Sequence, residues 1–474
     1  MRRNEVWRNV DLREIAKHGP VHFVGIAGAG MSALAELLLA SGGNVTGCDI
    51  QPGTAGERLR RLGAVIDDHH DPEHVQHATA VVTTAALDAQ HPELVAARAA
   101  RIPVLKRAQA LGSLVNRGSV LAVAGTHGKT TTTAMTTAIL EEAGLHPTGF
   151  VGGRVPGWES GLRMGGVDLF VVEADEYDKS FLTLEPNIAI VTTLEADHLD
   201  IYGSLEGVRE AFRQFVDLLP PDGLLVVCND DDGARDLRPR TLPAPAVMTY
   251  GIERGADLRA VDVEVRGRGS RCRVLRHGEA LGELELIVPG HHNVRNALAA
   301  IAAALHADAP FDAAQRALGR FAGVARRFED LGRHHGIAIV DDYAHHPTEI
   351  RATIAAARAS FAGMRLVAVF QPHLYSRTRD FAAAFGAALA QADSVWVTDV
   401  YPAREAPIPG VTGELIAAAA RDAGAADVKY VPDVQRLEAT LAEALRPGDA
   451  CVLMGAGNID QVSHGLARRL AEAS

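Results

Sequence analysis

Between Leu121 and Thr131 the chain reads LAVAGTHGKTT, an apolar run that gives way to two glycines, a lysine and three threonines. Residues of these types at this spacing suit the holding of a phosphate. Gly125, Thr126, His127 and Gly128 can wrap backbone N–H groups round an anion, and the helix opening at Lys129 turns its N-terminus toward it. Lys129 supplies mobile positive charge, Thr130 is placed to hold Mg²⁺ through its hydroxyl, and Thr131 continues the helix start. The pattern G-x-x-G-K-T is shorter than the full Walker spacing, which would ask for glycine at Val123.

Acids follow two other apolar runs. Val167–Val172 leads into Glu173-Ala-Asp-Glu-Tyr-Asp178, and Ile188–Val191 into a segment holding Glu195-Ala-Asp-His198. Runs this apolar suit parallel strands covered on both faces, with the acids at the ligand edge of the sheet. Glu173 fits the strand-end carboxylate that completes a Mg²⁺ site, the alternative being a solvated loop acid. His198 either binds a second metal near a transferring phosphate or pairs with Glu195, Asp197 or Asp200. Asn293 and Asn296 stand on one face of a helix start, where their amides suit an adenine edge, although Asn293 would equally serve as a cap. Asp341-Asp-Tyr-Ala-His-His-Pro347 follows another strand, with Arg351 one turn later, and this is also a ligand-edge signature. Adjacent histidines alone rarely share an ion, so His69-His70, His291-His292 and His334-His335 read as surface loops.

The elements that must position these residues alternate strand and helix throughout. Val21–Ile26, a glycine turn at Gly25, Gly28 and Gly30, a helix over Met31–Ala40 and a strand ending at Asp49 make a βαβ unit. Its G-x-x-G-x-G order differs from the dinucleotide G-x-G-x-x-G, so the fold is legible there and the ligand is open. Strands are expected at Ala64–Ile66, Thr79–Thr84 and Ile102–Leu105. In the middle segment they are expected at Leu224–Cys228 and Val247–Tyr250, followed by a hairpin over Arg271–Val288 and an Ala-rich helix over 290–307. The alternation resumes with strands at Ile337–Val340, Leu366–Phe370, Val395–Val400 and Ala450–Met454. The expectation is an α/β protein of three domains at 1–116, 117–323 and 324–474: Rossmann-like, P-loop ATPase-type and Rossmann-like.

Composition agrees with a globular enzyme. The 474 residues are 47% hydrophobic and 22% charged, with a net charge of −12 that disfavours nucleic acid as a bulk partner. No apolar run is long enough for membrane insertion, and the first residues lack a signal-peptide core, so a cytoplasmic protein is expected. Cys48, Cys228, Cys272 and Cys451 lie far apart with no CxxC, and Cys48, Cys228 and Cys451 sit in apolar runs, which suits buried thiols in a reducing cytoplasm.

Taken in order, these motifs resemble the Mur ligase family over nearly the whole chain. The ordered set also includes Gly290-His-His-Asn-Val-Arg-Asn296, Arg326-Arg-Phe328, Gln371-Pro-His-Leu-Tyr-Ser-Arg-Thr378 and Val400–Pro409. The resemblance implies an ATP- and Mg²⁺-dependent enzyme of peptidoglycan precursor synthesis, either monomer or homodimer. The DDYAHHPTE and DVYPAREAPIPG stretches point within the family to ligation of L-alanine to the lactyl carboxylate of UDP-N-acetylmuramate through an acyl phosphate. Gly28, Ala29, Gly30, Met31, Ser32 and Asp49 would then hold the UDP-sugar. Lys129 would hold the ATP phosphates, Thr130 and Glu173 one Mg²⁺, and His198 a second. His292, Asn293 and Asn296 would contact adenine, and Arg327 would reach the phosphates upon domain closure. Tyr343, His345, Arg351 and Arg377 would line the amino-acid pocket. Two departures stand out: Leu374 replaces an arginine of some members, and the absence of lysine between Lys179 and Lys429 removes the carbamylated lysine that several relatives use. The near alternative is a recycling ligase that attaches an intact tripeptide to the same sugar nucleotide. The distant one is an NAD-dependent oxidoreductase, prompted by the first glycine turn and Asp49.

Overall fold

Val21, Phe23 and Val24 are fully buried, as are Val120–Ala124 and Ile339–Val340, and each of these runs forms an interior strand of a separate sheet. The computed structural model describes residues 6–472 apart from Ala85, Ala86 and Arg404, so Arg404 of the Val400–Pro409 stretch lies outside the described residues. Two compact units divide the chain: residues 1–259, 276–279 and 296–317 form the first, and 260–275, 280–295 and 318–474 the second.

The first unit carries two sheets. In one, β1 (Val21–Val24), β2 (Val45–Cys48), β3 (Val65–Asp67), β4 (Ala80–Thr83) and β5 (Val104–Lys106) run parallel in the order β3-β2-β1-β4-β5. The chain reverses its winding between β1 and β4, and the glycine turn follows β1 at that switch point, where open α/β sheets bind ligands.

The other sheet holds β6 (Ser119–Ala124), β7 (Thr148–Phe150), β8 (Leu162–Arg163), β9 (Leu169–Glu173), β10 (Ile188–Val191), β11 (Leu224–Cys228) and β12 (Ala246–Gly251). These run β12-β11-β10-β6-β9-β7-β8, all parallel except that β8 is antiparallel to β7. Register pairs Val123 with Glu173 and Ala124 with Val191, so β6, β9 and β10 end level and their loops share one edge.

From β6 the chain turns into the helix Lys129–Glu142, whose threonines 130–133, 136 and 137 are all buried. Thr133, Thr136 and Thr137 donate their hydroxyls to the carbonyls of Lys129, Thr132 and Thr133 at 2.9, 2.7 and 2.8 Å. Threonine is a poor helix former, so this helix rests on burial rather than on propensity.

Further along, β14 (Gly269–Arg276) lies between β13 (Leu258–Arg266) and β15 (Glu279–Leu286), where the sequence suggested a single hairpin. A further sheet contains β16 (Glu329–His334), β17 (Ile337–Asp342), β18 (Arg365–Phe370), β19 (Ser394–Val397), β20 (Val428–Tyr430) and β21 (Asp449–Met454), in the order β16-β17-β21-β18-β19-β20. Only β16 is antiparallel. Alternate residues of its strands feed two cores: Ala338, Val340 and Val452 pack on one face, and Ile337, Ile339 and Leu453 on the other.

Candidate active site

The loop between β6 and the helix at Lys129 is a tightly fitted turn. Gly125 has φ +134°, and a Cβ there would meet Thr192 Oγ1 at 2.0 Å; Gly128 has φ +81°, and a Cβ there would meet Asn296 Oδ1 at 2.5 Å. Both positions therefore require glycine. The loop is pinned to the chain after β10: Thr126 N donates to Thr193 O at 2.9 Å, His127 N to Thr193 Oγ1 at 2.9 Å, and Glu195 N to Thr126 Oγ1 at 2.9 Å. His127 Nε2 lies 3.0 Å from Glu195 Oε2.

Lys129 folds back over this loop. Its Nζ donates to Gly125 O at 2.6 Å and lies 2.8 Å from a carboxylate oxygen of Glu176, with both side chains largely buried. Burial alone would lower the lysine pKa, but Glu176, Asp175 and Glu173 hold it above the ordinary range, so it remains a cation. Glu176 stood in the acid-rich run of the sequence without a role. Its pairing with Lys129 is made only by the level ends of β6 and β9.

Thr130 and Glu173 meet directly, Oγ1 donating to Oε1 at 2.9 Å, while the other Glu173 oxygen accepts from Gly152 N at 2.6 Å. A hydroxyl and a carboxylate side by side are a hard-oxygen donor set of the kind Mg²⁺ takes. His198 sits at the N-terminal end of a short helix, Leu199–Tyr202, with φ 51°; its Nε2 is 3.9 Å from Asp197, and its ring lies edge-on to Tyr177 at 5.3 Å.

The remaining sites are built locally. At the first switch point, Asp49 accepts from Ala27 N at 3.0 Å and Gln51 N at 2.9 Å, tying the end of β2 to the glycine turn. Helix Ala29–Ala40 begins there after Gly28, with Gly30 in its first turn and Met31 and Ser32 buried. Asn296 is buried against Gly128 within the first unit. His291-His292 is not a surface loop but the first turn of the helix His291–His306, because the Ala-rich pattern reaches back to it. Asn293 therefore lies inside that helix rather than capping it, and its amide donates to Pro289 O at 2.8 Å. Burial pushes the pKa of His292 down to about 4.

In the second unit, Tyr343 follows β17 and is covered by two guanidinium groups, Arg326 at 5.0 Å and Arg327 at 4.9 Å from the ring centre. Glu349 organises the next turn. It accepts from the backbone N–H groups of His345 and His346 at 2.9 and 3.2 Å and lies 3.4 Å from Arg327. The spacing of His346 and Glu349, three residues apart before an apolar helix, is the signal that would have revealed it. His345 Nδ1 is 2.9 Å from Tyr343 O. Asp342, buried beneath, accepts from Phe328 N and Ala344 N at 2.8 and 2.7 Å, and burial takes its carboxyl up to about 7. Arg377 is buried in the helix Tyr375–Leu389, whereas Arg351 is exposed and donates to Thr348 Oγ1 at 3.0 Å. Leu374 precedes that helix with φ 70°. His373, which the motif contained without a role, stacks on Tyr401 at 5.8 Å.

Three models of known families match in series: Mur ligase family, catalytic domain, over residues 20–119; Mur ligase middle domain over 123–304; and Mur ligase, glutamate ligase domain, over 326–457. A UDP-N-acetylmuramate–L-alanine ligase of Geobacter sp. (strain M21) is 45% identical over 96% of this chain and 98% of its own. The chain belongs to the Mur ligase family. An enzyme of the same name from Salinibacter ruber (strain DSM 13855 / M31) is also 45% identical, over 94% of this chain and 93% of its own. Among solved Mur ligases, UDP-N-acetylmuramate-alanine ligase from Thermotoga maritima superposes with a TM-score of 0.79 at 31% identity, covering 96% of this chain and 100% of that one. A murein peptide ligase from Psychrobacter arcticus 273-4 superposes with a TM-score of 0.66 at 26% identity, covering 96% and 99%. The Mur ligase middle-domain match contains Lys129, Thr130, Glu173, His198, Asn293 and Asn296, and the last match contains Arg327, Tyr343, His345, Arg351 and Arg377.

Proposed function

We infer that this chain joins L-alanine to the lactyl carboxylate of UDP-N-acetylmuramate with conversion of ATP to ADP and phosphate, a step of peptidoglycan precursor synthesis. The observation that carries the reading is the glycine loop with Lys129 and the Thr130–Glu173 pair at one sheet edge, in a chain 45% identical along 96% of its length to an enzyme of that name. Residues 1–116 are assigned to the UDP-sugar, with Gly28, Ala29, Gly30, Met31, Ser32 and Asp49 at its turn. Residues 117–323 are assigned to ATP and 324–474 to the amino acid. The protein is placed in the cytoplasm, where ATP is made; among the described residues no helix is long and apolar enough to cross a membrane.

Lys129 and the N–H groups of residues 125–131 hold the phosphates, with Asn296, buried against Gly128, beside the nucleotide. Thr130 and Glu173 would hold Mg²⁺, with His198 near a second ion, and the ions supply charge neutralisation for the transferring group. A lactyl carboxylate oxygen attacks the γ-phosphorus, the bridging P–O bond breaks, and ADP leaves. The amine of alanine then attacks the acyl phosphate, and the tetrahedral adduct collapses with loss of inorganic phosphate. Tyr343, Arg351 and Arg377 position the amino acid. His345, held by Nδ1 donating to the Tyr343 carbonyl, is assigned to the amine proton.

Phosphate release with UDP-N-acetylmuramate against a panel of amino acids and peptides tests the reading. L-alanine should lead. Glycine should follow as a slow substrate, since one missing methyl group is worth only about 1–3 kcal/mol. Tripeptide turnover equal to that of L-alanine would move the chain to the recycling activity, and activity without any amino acid would refute ligation.

A further inference from the structure

Four imidazoles and a thiol surround one carboxylate in the first unit. Glu93, in the first turn of the helix Pro92–Ala99, is fully buried, and so is Cys48 at the end of β2. Glu93 Oε1 lies 3.1 Å from Cys48 Sγ, 3.0 Å from His74 Nδ1 and 3.7 Å from His22 Nε2. His70 and His91 face the other oxygen at 3.3 and 3.7 Å. The reading of His69-His70 as a plain surface pair therefore fails at His70, which turns inward beside Cys48 at 3.1 Å.

A hydrogen-bonded cage does not account for this arrangement. His22 is 1% exposed, and its Nε2, aimed at the cluster, has no hydrogen-bond partner. One ligand atom from each of His22, Cys48, His74 and Glu93 lies within 4.8 Å of the other three. Tetrahedral bonds of about 2.0–2.3 Å to nitrogen, oxygen and sulfur set donor atoms about 3.2–3.8 Å apart, close to the 3.0, 3.1 and 3.7 Å that separate Glu93 Oε1 from His74, Cys48 and His22.

The outer contacts point the same way. Thr46 Oγ1 is 3.0 Å from His22 Nδ1, and the Asp67 carboxylate is 3.6 Å from His74 Nε2. With those nitrogens bearing hydrogen, His22 Nε2 and His74 Nδ1 both turn lone pairs inward, the arrangement that orients metal-binding histidines. Val24, Val75, Val81 and Leu94 pack with Cys48 in one apolar cluster and keep the surroundings dry.

We propose that His22, Cys48, His74 and Glu93 form a closed, tetrahedral structural site for a zinc-class divalent cation. Charge balances: the Cys48 thiol releases its proton to solvent, and thiolate and carboxylate neutralise the dication while two imidazoles bind uncharged. All four positions are filled by protein, so the site is structural rather than catalytic. It ties β1, β2, the 3₁₀ turn Pro72–Val75 and the helix Pro92–Ala99 together, independently of the Thr130–Glu173 pair.

Full-length protein stripped with a chelator is titrated with Zn²⁺ alone and, separately, with Co²⁺ alone. One equivalent of zinc should survive gel filtration, and cobalt should give a thiolate-to-metal charge-transfer band in the near ultraviolet. Cys48→Ser should abolish that band. His74→Gln, on the short turn, should weaken zinc binding about tenfold or more while circular dichroism and thermal unfolding confirm the fold. Zinc lost on the column, a cobalt spectrum without the thiolate band, or affinity unchanged in His74→Gln would each overturn the site. The wild-type spectrum and His74→Gln decide the matter even if Cys48→Ser does not fold.

Discussion

Replacing Lys129 by methionine removes two things at once, and the structure separates them. The Lys129 side chain is 14% exposed and that of Glu176 4%, their charged groups 2.8 Å apart. Without the ammonium, Glu176 is a buried carboxylate lacking its counter-charge. Breaking such a pair from one side costs about 3–5 kcal/mol, a large share of the 5–15 kcal/mol that typically holds a protein together. At about 2–4 °C per kcal/mol, the unfolding temperature of the first unit should fall by roughly 6–20 °C. Adding Glu176→Gln should restore most of it, because replacing both charges is close to neutral. Turnover behaves differently. Losing a preorganised cation at the transferring phosphate costs about 3–4 kcal/mol, so both the single and the double variant should fall on the order of 10²–10³-fold at saturating ATP. Thermal melts followed by circular dichroism, alongside phosphate release, supply the two readouts. A double variant no more stable than Lys129→Met would refute the ion-pair reasoning, and a single variant keeping half its turnover would remove Lys129 from the chemistry.

Thr130→Val should raise the Mg²⁺ concentration for half-maximal turnover about tenfold or more, since the hydroxyl beside Glu173 is lost; an unchanged Mg²⁺ dependence would take Thr130 out of the metal site. Gly128→Ala should cost about 1–3 kcal/mol and raise the KM for ATP, because φ is +81° and the new methyl group meets Asn296; an unaltered KM would dissociate this turn from the nucleotide. Two groups of the second unit should impose opposite pH dependences. Asp342 at about 7 favours its protonated form when folded, so its contribution is present at pH 4 and is lost as pH rises toward 7, whereas His292 at about 4 favours its neutral form, so its contribution is lost as pH falls from about 6.5 toward 4. Each effect is on the order of 3 kcal/mol, and urea midpoints across this window should gain a positive slope in Asp342→Asn and a negative one in His292→Leu relative to the parent; parallel profiles would show that neither group titrates as its burial requires.

The legible parts of the chain were those where one segment carries its own signal. β10 and β11 occupy the apolar runs Ile188–Val191 and Leu224–Cys228, because strands covered on both faces must be apolar along their whole length. β16 went unseen because an antiparallel edge strand can be as polar as Glu329–His334, and β20 because none of Val428–Tyr430, at the other edge of that sheet, is fully buried and Lys429 interrupts the apolar run. The phosphate loop was readable since glycine, lysine and threonine sit within a few residues of one another. Glu176 was visible only as one acid among several, since its partner lies 47 residues away. The histidine cluster was hidden more deeply, with Cys48 and Glu93 45 residues apart and none of the usual close ligand spacing. Asn293 shows the limit of a local reading: the same amide suited cap or ligand, and only the start of the helix at His291 excluded the cap.

The threonine-rich helix behind the phosphate loop has a consequence for how the protein comes into being. Its buried threonines 130–133, 136 and 137 disfavour a helix in the free chain, and its hydroxyls close back on its own carbonyls. Such a segment gains order only from the sheet it covers, so newly made chain up to Glu142 emerges without a formed loop. The strands that complete its support, β9 and β10, arrive later in synthesis. Amide exchange in Thr132–Leu140 should therefore follow opening of the whole sheet rather than local fraying, and competence to bind nucleotide should appear in a nascent chain only after Val191 has left the ribosome.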